Sequence, residues 1–343
     1  GKKLAEGIST NRVECTATLN AGEAYEFSVT YIGASSEHRM RFDWWLPSDV
    51  KHFATLHETM QLAAAILVFT GTQIGDGPAH EGGEAMRPNL RLPPGHNSAI
   101  AEILSWQSPK VITVLHSAGP VELPWIDDCP TLLHLPYLGE AAGTAFTRIL
   151  FGEVSPSGKL VSSWPRHLEL SQFTAPDAEE SPEEKMQRAE GMHTGYRWHD
   201  KKEIAPAFAF GHGLSYAKFL YDMDNAEIAK FSGDEDSWAV SLPVKNIGTR
   251  IGKETVQIYA AYPNAKIERP VKELKAFAKT RLLAPGEQQT LTVKIRPRDL
   301  AYWDPFIRRF RLDAGEYQLI VAASASDIRG RAKITVANEY IFE

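Results

Sequence analysis

Gly195-Tyr-Arg-Trp-His-Asp-Lys-Lys-Glu-Ile-Ala-Pro-Ala-Phe-Ala-Phe-Gly-His-Gly-Leu-Ser-Tyr216 holds five aromatics and three glycines in twenty-two residues. Their spacing follows neither the period of a helix nor that of a strand. A loop so rich in large rings stays ordered when the rings dock between bigger units, because each buried ring removes a large apolar area from water. Plain packing is therefore the reading for most of these aromatics. They hold domains together rather than do chemistry, and the flanking segments decide what those domains are.

Upstream, residues 49–165 alternate helix and strand. His52 to Ala64 fits a helix, and Ala65-Ile-Leu-Val-Phe-Thr70 reads as a short buried strand. Asn97 to Trp106 is helical, with Asn97 the expected N-cap. Val111-Ile-Thr-Val-Leu115 and Thr131-Leu-Leu-His-Leu135 are further buried strands, and Gly139 to Phe151 is a helix ended by Gly152. Continuous apolar strands alternating with helices predict a parallel sheet covered on both faces.

Downstream, residues 217–343 turn to strands. Val240 to Val244, Thr255 to Ala260, Thr290 to Ile295, Tyr317 to Ala322 and Ala332 to Val336 recur between turns such as Ala284-Pro-Gly286 and Asp313-Ala-Gly315. This spacing predicts a β-sandwich. At the other end, Val13-Glu-Cys-Thr-Ala-Thr-Leu19, Tyr25-Glu-Phe-Ser-Val-Thr-Tyr31 and Met40-Arg-Phe-Asp-Trp-Trp45 read as three strands within residues 1–48. Three strands cannot close a β-domain, so its other half is expected upstream. The chain opens at Gly1 without an initiator methionine, which is read as a start inside a longer protein. Residues 166–216 form a linker that ends in the aromatic docking loop, and its acidic run Pro176 to Lys185 is a solvated segment.

Composition narrows the function. A net charge of −6 with pI near 6.0 argues against nucleic acid, which needs a basic face. The longest apolar run, Leu62 to Phe69, which contains Ala63 to Phe69, is far shorter than a membrane span. Cys15 and Cys129 fall in different domains and read as ordinary thiols rather than a disulfide framework. Gly75-Asp-Gly77 lacks a third glycine at dinucleotide spacing, that place being His80. The eleven histidines are scattered, so no metal site is expected. His212, between two glycines, is a packing or turn residue rather than a base.

The docking loop resembles the signature that follows the α/β sandwich domain of glycoside hydrolase family 3, the β-glucosidase family. Glu268-Arg-Pro-Val-Lys-Glu-Leu-Lys-Ala-Phe277 and Pro297-Arg-Asp-Leu-Ala-Tyr-Trp-Asp304 are similar to the fibronectin type III-like domain that closes many members. Gly119-Pro-Val-Glu-Leu-Pro-Trp125 and Phe151-Gly-Glu-Val-Ser-Pro-Ser-Gly-Lys-Leu160 also match the family's pattern, whereas Tyr137-Leu-Gly-Glu140 departs from the usual Pro-Gly-Gln-Glu. Residues 1–48 resemble the last strands of an inserted protective-antigen-type β-domain. The fold class implied is multidomain α/β plus all-β: an α/β sandwich with a mostly parallel sheet, then a fibronectin type III-like β-sandwich over residues 217–343.

Ligands of parallel α/β sheets bind beyond the carboxyl ends of the strands. There the sequence has a long loop, Gly71-Thr-Gln-Ile-Gly-Asp-Gly-Pro-Ala-His-Glu-Gly-Gly-Glu-Ala-Met-Arg-Pro-Asn-Leu-Arg-Leu-Pro93, with carboxylates at Asp76, Glu81 and Glu84. Each of these alone is an ordinary solvated carboxylate. The resemblance implies that one is the acid/base of a retaining glycosidase: Glu81 first, because Glu81-Gly82 keeps the family's pair, then Glu84, then Asp76. Met86 stands where the family has an aspartate before Arg87, and it cannot brace the loop by a charge-assisted bond. The nucleophile, an aspartate in a Ser-Asp-Trp context on an N-terminal (β/α)8 barrel, has no counterpart here. Phe42-Asp43-Trp44 is read as structural, although Trp44 and Trp45 offer a sugar-stacking face.

The resemblance implies the C-terminal portion of an exo-acting retaining β-glucosidase. Its partners would be a β-glucoside or oligosaccharide and the barrel of the same protein, with no cofactor and with homo-oligomers open. β-Xylosidase activity is a neighbouring option, and a non-catalytic carbohydrate-binding or scaffold protein is the alternative. Secretion is the expected compartment, with the cytoplasm second.

Overall fold

The structure is a computed structural model that describes residues 58, 60–72, 90–167, 191–231 and 237–343. All of these belong to one compact unit, His57–Glu343. The expected strands of residues 1–48, Cys15, Asp43, Trp44, Trp45, most of the helix from His52 and the acidic run lie outside the described residues.

Three parallel strands, β1 (Ile66–Gly71), β2 (Val111–His116) and β3 (Leu132–Leu135), form one sheet in chain order. Ile66 faces Val111 and Gly71 faces His116, while His116 also faces Leu135, so the three carboxyl ends share one edge. The approach is close at that edge: a Cβ on Gly71 would lie 2.4 Å from the His116 carbonyl oxygen, so only glycine fits. Helix α1 (His96–Ser105) buries Ile100 and Leu104 against Val111, Leu115 and Trp125. Asn97 is not its N-cap, contrary to expectation; that place belongs to Gly95 at φ 84°. The Asn97 amide oxygen instead accepts the Trp125 indole N–H at 2.9 Å, a stronger claim on it than a helix end offers.

Helix α2 (Ala142–Leu150) ends before Gly152, whose φ of +73° terminates it as expected. It sits lightly: none of its side chains is buried. Cover of the sheet is accordingly one-sided at β1, where Ile66 and Val68 pack inward but Leu67 and Phe69 stay exposed. Among the described residues the expected two-sided cover is only partial on this face, where α2 reaches Phe69 with the edge of Phe146.

The C-terminal region is an antiparallel sandwich. One sheet joins β4 (Phe219–Tyr221), β5 (Glu227–Phe231) and β9 (Gln288–Ile295) to β6 (Ser237–Asn246). The other runs β13-β12-β7-β8, with β7 (Thr255–Ala261), β8 (Glu273–Lys279), β12 (Gly315–Ala322) and β13 (Ile328–Val336). Val240, Leu242 and Val244 from one sheet meet Val256, Ile258, Leu319 and Val321 from the other in a single core. A short helix α4 (Pro297–Leu300) leads into a small sheet of β10 (Tyr302–Asp304), β11 (Arg309–Leu312) and β14 (Tyr340–Phe342).

The outer face of the β7–β12 sheet is buried too. Tyr259, Ile320 and Ala322 pack against Ala209, Ala325, Tyr196 and Phe210, so the aromatic stretch forms a third layer. This explains why Val256 to Ala260 are buried without alternation: a strand covered on both faces loses the period of two. The stretch also contains an unexpected helix, α3 (Tyr196–Lys202). Seven residues are too few for an isolated helix, and its support is tertiary. Asp200 pairs with buried Lys272, Arg197 with Glu273 at 3.0 Å, and Lys201 and His193 with Glu268. The two quoted motifs therefore bind one another.

The remainder of the stretch joins the two regions. Trp164 of the α/β region forms a β-bridge with Phe208 and stacks edge-on with it. Gly211, at φ +78°, lies over the Gln257 side chain, and a Cβ on Gly213 would meet the Gly158 carbonyl at 2.1 Å. Lys159 pairs with Glu254 at 2.9 Å and donates to the Gly213 carbonyl at 3.0 Å. The Gly-His-Gly signature is thus a seam. His212 itself has its ring 5.1 Å from Phe208 and its N–H on the Ala209 carbonyl, a packing and turn position.

Candidate active site

The loop with the candidate acid/base residues leaves β1 at the carboxyl edge of the sheet. Asp76, Glu81, Glu84, Met86 and Arg87 lie outside the described residues. What the structure gives is the frame from which the loop springs. At its start, Thr72 donates its backbone N–H to the His116 carbonyl at 2.9 Å, continuing the β1–β2 ladder by one residue. The Thr72 hydroxyl lies 3.1 Å from the Tyr137 hydroxyl, which stands just beyond β3. One residue back, the Thr70 hydroxyl meets His96 Nδ1 at 3.0 Å, fixing β1 to the first residue of α1.

At its end, the loop returns on the turn that follows β2. The Leu90 carbonyl accepts the Glu122 N–H at 2.7 Å, Arg91 pairs with Glu122 at 3.8 Å, and Leu92 is buried beside Val121, Leu123 and Trp125. The alternating burial of Val121, Leu123 and Trp125 explains why a proline-bearing turn is rigid here: three side chains anchor it in the core. A short 3-10 turn, Ile126–Asp128, follows and leads to Cys129, a free thiol whose pKa burial raises. Both stems of the loop are therefore held by backbone bonds to the β2 segment.

Beneath the edge, Ser117 is fully buried and donates to the Gly119 carbonyl at 2.8 Å. His134 Nε2 lies 2.9 Å from the Ser117 carbonyl and 3.2 Å from its hydroxyl, and the His134 ring stacks edge-on with Trp164. A donor contact to a carbonyl requires Nε2 to carry the proton. Ser117 and His134 thus form a structural pair, not a nucleophile with its base, since the serine proton is already committed to Gly119.

Sequence reasoning located the loop and its Leu-Arg-Leu-Pro ending but missed Tyr137. The available signal was the departure of Tyr137-Leu-Gly-Glu140 from the family pattern; the structure puts that departure against the loop's first residue. No helix among the described residues is long and apolar enough to cross a membrane. Among the described residues, no group of three His, Cys, Asp or Glu side chains has the geometry to hold a metal ion.

Residues 5–216 match the profile of the Glycosyl hydrolase family 3 C-terminal domain, and residues 254–325 that of the Fibronectin type III-like domain. A β-glucosidase of Rhizobium radiobacter is 36% identical over 348 residues, which cover 98% of this chain and 41% of that protein. Thermostable β-glucosidase B of Acetivibrio thermocellus is 38% identical over 71% of this chain and 31% of its own length. Among solved structures, the β-glucosidase of Kluyveromyces marxianus in complex with glucose superposes with a TM-score of 0.73 at 30% identity, covering 86% of this chain and 34% of that one. The chain spans at most about two-fifths of the length of these relatives.

Proposed function

The chain belongs to glycosyl hydrolase family 3 through its C-terminal domain, and from that premise we propose that it is the C-terminal portion of a retaining exo-β-glucosidase. In this reading the full protein removes terminal non-reducing β-D-glucosyl residues. An N-terminal barrel supplies the nucleophile, and the loop between Thr72 and Leu90 supplies the acid/base. Retaining hydrolysis needs two carboxyl groups about 5–5.5 Å apart, one attacking the anomeric carbon and one protonating the leaving oxygen, then deprotonating water. A carboxyl that must meet a partner from another domain has to be carried on a long arm with firmly held stems.

The observation that carries the proposal is that bracing. Thr72 and Leu90 are both pinned to the segment that runs from His116 to Glu122. Met86 removes one means of fixing the loop in relatives of the family pattern, and Tyr137 supports Thr72 from a place where that pattern has no tyrosine. Glu81 is the first choice for acid/base, followed by Glu84 and Asp76. Export from the cell and a role in polysaccharide breakdown belong to the same proposal, as does homo-oligomer formation.

The test uses the full-length protein and the variant Glu81→Gln. Loss of a general acid should lower kcat by about 10²–10⁴. The loss of kcat/KM should be largest on glucosides with poor leaving groups and small on those whose aglycone departs without a proton, while kcat falls on both because the same carboxyl activates the water. An unchanged rate on both substrate types would remove Glu81 and pass the role to Glu84. Unchanged rates in Glu81, Glu84 and Asp76 variants alike would sink the reading.

A further inference from the structure

A concavity of about 690 Å³ lies where α3 and the segment after it face the turn between β12 and β13. That volume is ordinary for a small-molecule site. Its walls are fixed to each other. The Ala325 N–H donates to the Phe210 carbonyl at 2.8 Å, and the buried Gln257 amide bridges the Gly211 and Ala323 carbonyls. We propose that this cleft binds a saccharide, presented to His199, Glu203, Phe208, Ser324 and Ser326. The proposal goes beyond the assignment of the loop carboxylates and does not depend on it.

Charge comes first. Two carboxylates of the lining carry a cation partner, Asp200 through Oδ1 with Lys272 and Asp327 with Arg329, while the buried Asp200 Oδ2 has no hydrogen-bond partner among the described residues. A strongly charged ligand is therefore not what the walls call for. His199 is second. It is 8% exposed and lines the cleft, and its Nδ1 sits 3.1 Å from the Ile204 carbonyl. That contact places the proton on Nδ1 and leaves Nε2 a lone pair, with no partner among the described residues. Burial keeps the ring neutral by lowering its pKa. His199 thus offers the cleft an acceptor, Nε2.

Glu203 is third. It closes α3 at φ 54°, ψ 35°, a conformation glycine takes freely and a glutamate takes only at a cost. Strain of this kind concentrates at functional positions. Here that conformation caps α3 and leaves Glu203 exposed in the lining of the cleft. Opposite, Ser324 Oγ accepts the N–H groups of Ser326 and Asp327, so its own proton is available to donate outward. Acceptors and hydroxyls in the lining, with the half-buried Phe208 among them, suit a molecule with several O–H groups and an apolar ring face. That is the chemistry of a pyranose. An anion would be repelled by Glu203, and a simple amine would leave the hydroxyls and His199 Nε2 unused.

The experiment titrates the isotope-labelled 343-residue chain with cellobiose and follows backbone amides by NMR, with melting temperature measured in parallel. The expected result is saturable shifts at Glu203, Ile204 and residues 324–327. Glu203→Gly should bind about tenfold more weakly, the loss of one hydrogen bond to a charged group, while its melting temperature holds or rises as the strain is relieved. Ser326→Trp, which fills the mouth from an exposed turn, should abolish the shifts with the fold intact. No shifts at these amides, shifts unaltered in both variants, or saturation by methylamine but not by cellobiose would each overturn the proposal. No turnover enters the readout, so the result stands apart from the choice of acid/base residue.

Discussion

The phenolic oxygen of Tyr196 accepts the backbone N–H of Leu274 at 2.8 Å. The contact falls where β8 bulges: Ile258 faces Ala276 and Tyr259 faces Leu274, leaving Lys275 as an extra residue. A bulge disrupts the ladder locally, and a side chain from α3 satisfies the donor. The same ring packs against Phe210 and Tyr259, so one residue fastens the aromatic stretch to the sandwich. Tyr196→Phe keeps the ring and orphans the Leu274 N–H. We expect a loss of about 1–3 kcal/mol in urea unfolding, with faster hydrogen exchange at Leu274. Unchanged exchange at that amide would show that the bond does not form.

Gly71 and Gly143 make a matched pair. A Cβ on Gly71 meets the backbone of β2, which cannot swing aside, whereas a Cβ on Gly143 in α2 meets nothing within 4 Å. Gly71→Ala should destabilise by about 1–3 kcal/mol, the usual scale for overpacking. Gly143→Ala should stabilise by up to about 0.5–1 kcal/mol, the mid-helix limit, since Gly143 stands in the first turn of α2. Thermal denaturation of the two variants should move in opposite directions; movement in the same direction contradicts the packing at the β1–β2 edge.

Stability should fall as pH drops below neutrality. Burial lowers the pKa of both His199 and His212, and for His212 the Lys159 charge adds to it. The unfolded chain then binds protons near the ordinary histidine value of about 6.5, while the folded chain does not until a lower pH. More protons on the unfolded state means that stability decreases as pH falls from about 6.5 toward the folded values and then levels off. His212→Gln should flatten that slope between about pH 6.5 and 5, as measured by urea midpoints at several pH values. An equally steep slope in the variant would show that His212 is protonated in the folded state.

Lower still, the carboxylates take over. Burial acts to raise the pKa of Glu273, but Lys275, Arg269 and Arg197 outweigh it and hold it below the usual range. Its contribution is present above the ordinary glutamate value of about 4.3 and is lost as pH falls through the depressed value. Glu273→Gln should therefore be destabilised at pH 7, where three cations lose their partner, and should show less further loss than the parent between about pH 4.3 and 3. Parallel pH profiles would place the charge balance elsewhere.

Residues with continuous apolar runs were legible. Val111–Leu115 and Val240–Val244, the mainly apolar centres of β2 and β6, needed no tertiary knowledge to be read as strands. Helix α3 was not legible. Its sequence, Tyr-Arg-Trp-His-Asp-Lys-Lys, carries no apolar stripe, and the partners that hold it, such as Lys272 for Asp200, lie 72 residues away. The strands β8 and β10 hid for a related reason: their exposed residues break the alternation. For the site, the loop could be bounded because β1 ends in a glycine and the return is a Leu-Arg-Leu-Pro run. The bracing tyrosine could not, since only the β1–β2–β3 order brings residue 137 beside residue 72.

That bracing gives the last prediction. Tyr137 is 49% exposed, so its ring adds little to the core and its value to the fold should be small. If its hydroxyl sets the angle at which the loop leaves β1, its removal acts on chemistry rather than on folding. A hydroxyl–hydroxyl bond at the surface is worth about 0.5–1.5 kcal/mol, which corresponds to roughly a twofold to tenfold loss of rate if the bond is needed only in the reactive arrangement. In the full-length protein, Tyr137→Phe should lower kcat by that factor while lowering the melting temperature by no more than a few degrees. Thr72→Val should also lower the rate, and the double variant should lose less than the sum of the two single losses, because both changes cut the Thr72–Tyr137 bond. Additive losses in the double variant would mean that the two hydroxyls act independently, and the bracing of the loop by Tyr137 would have to be abandoned.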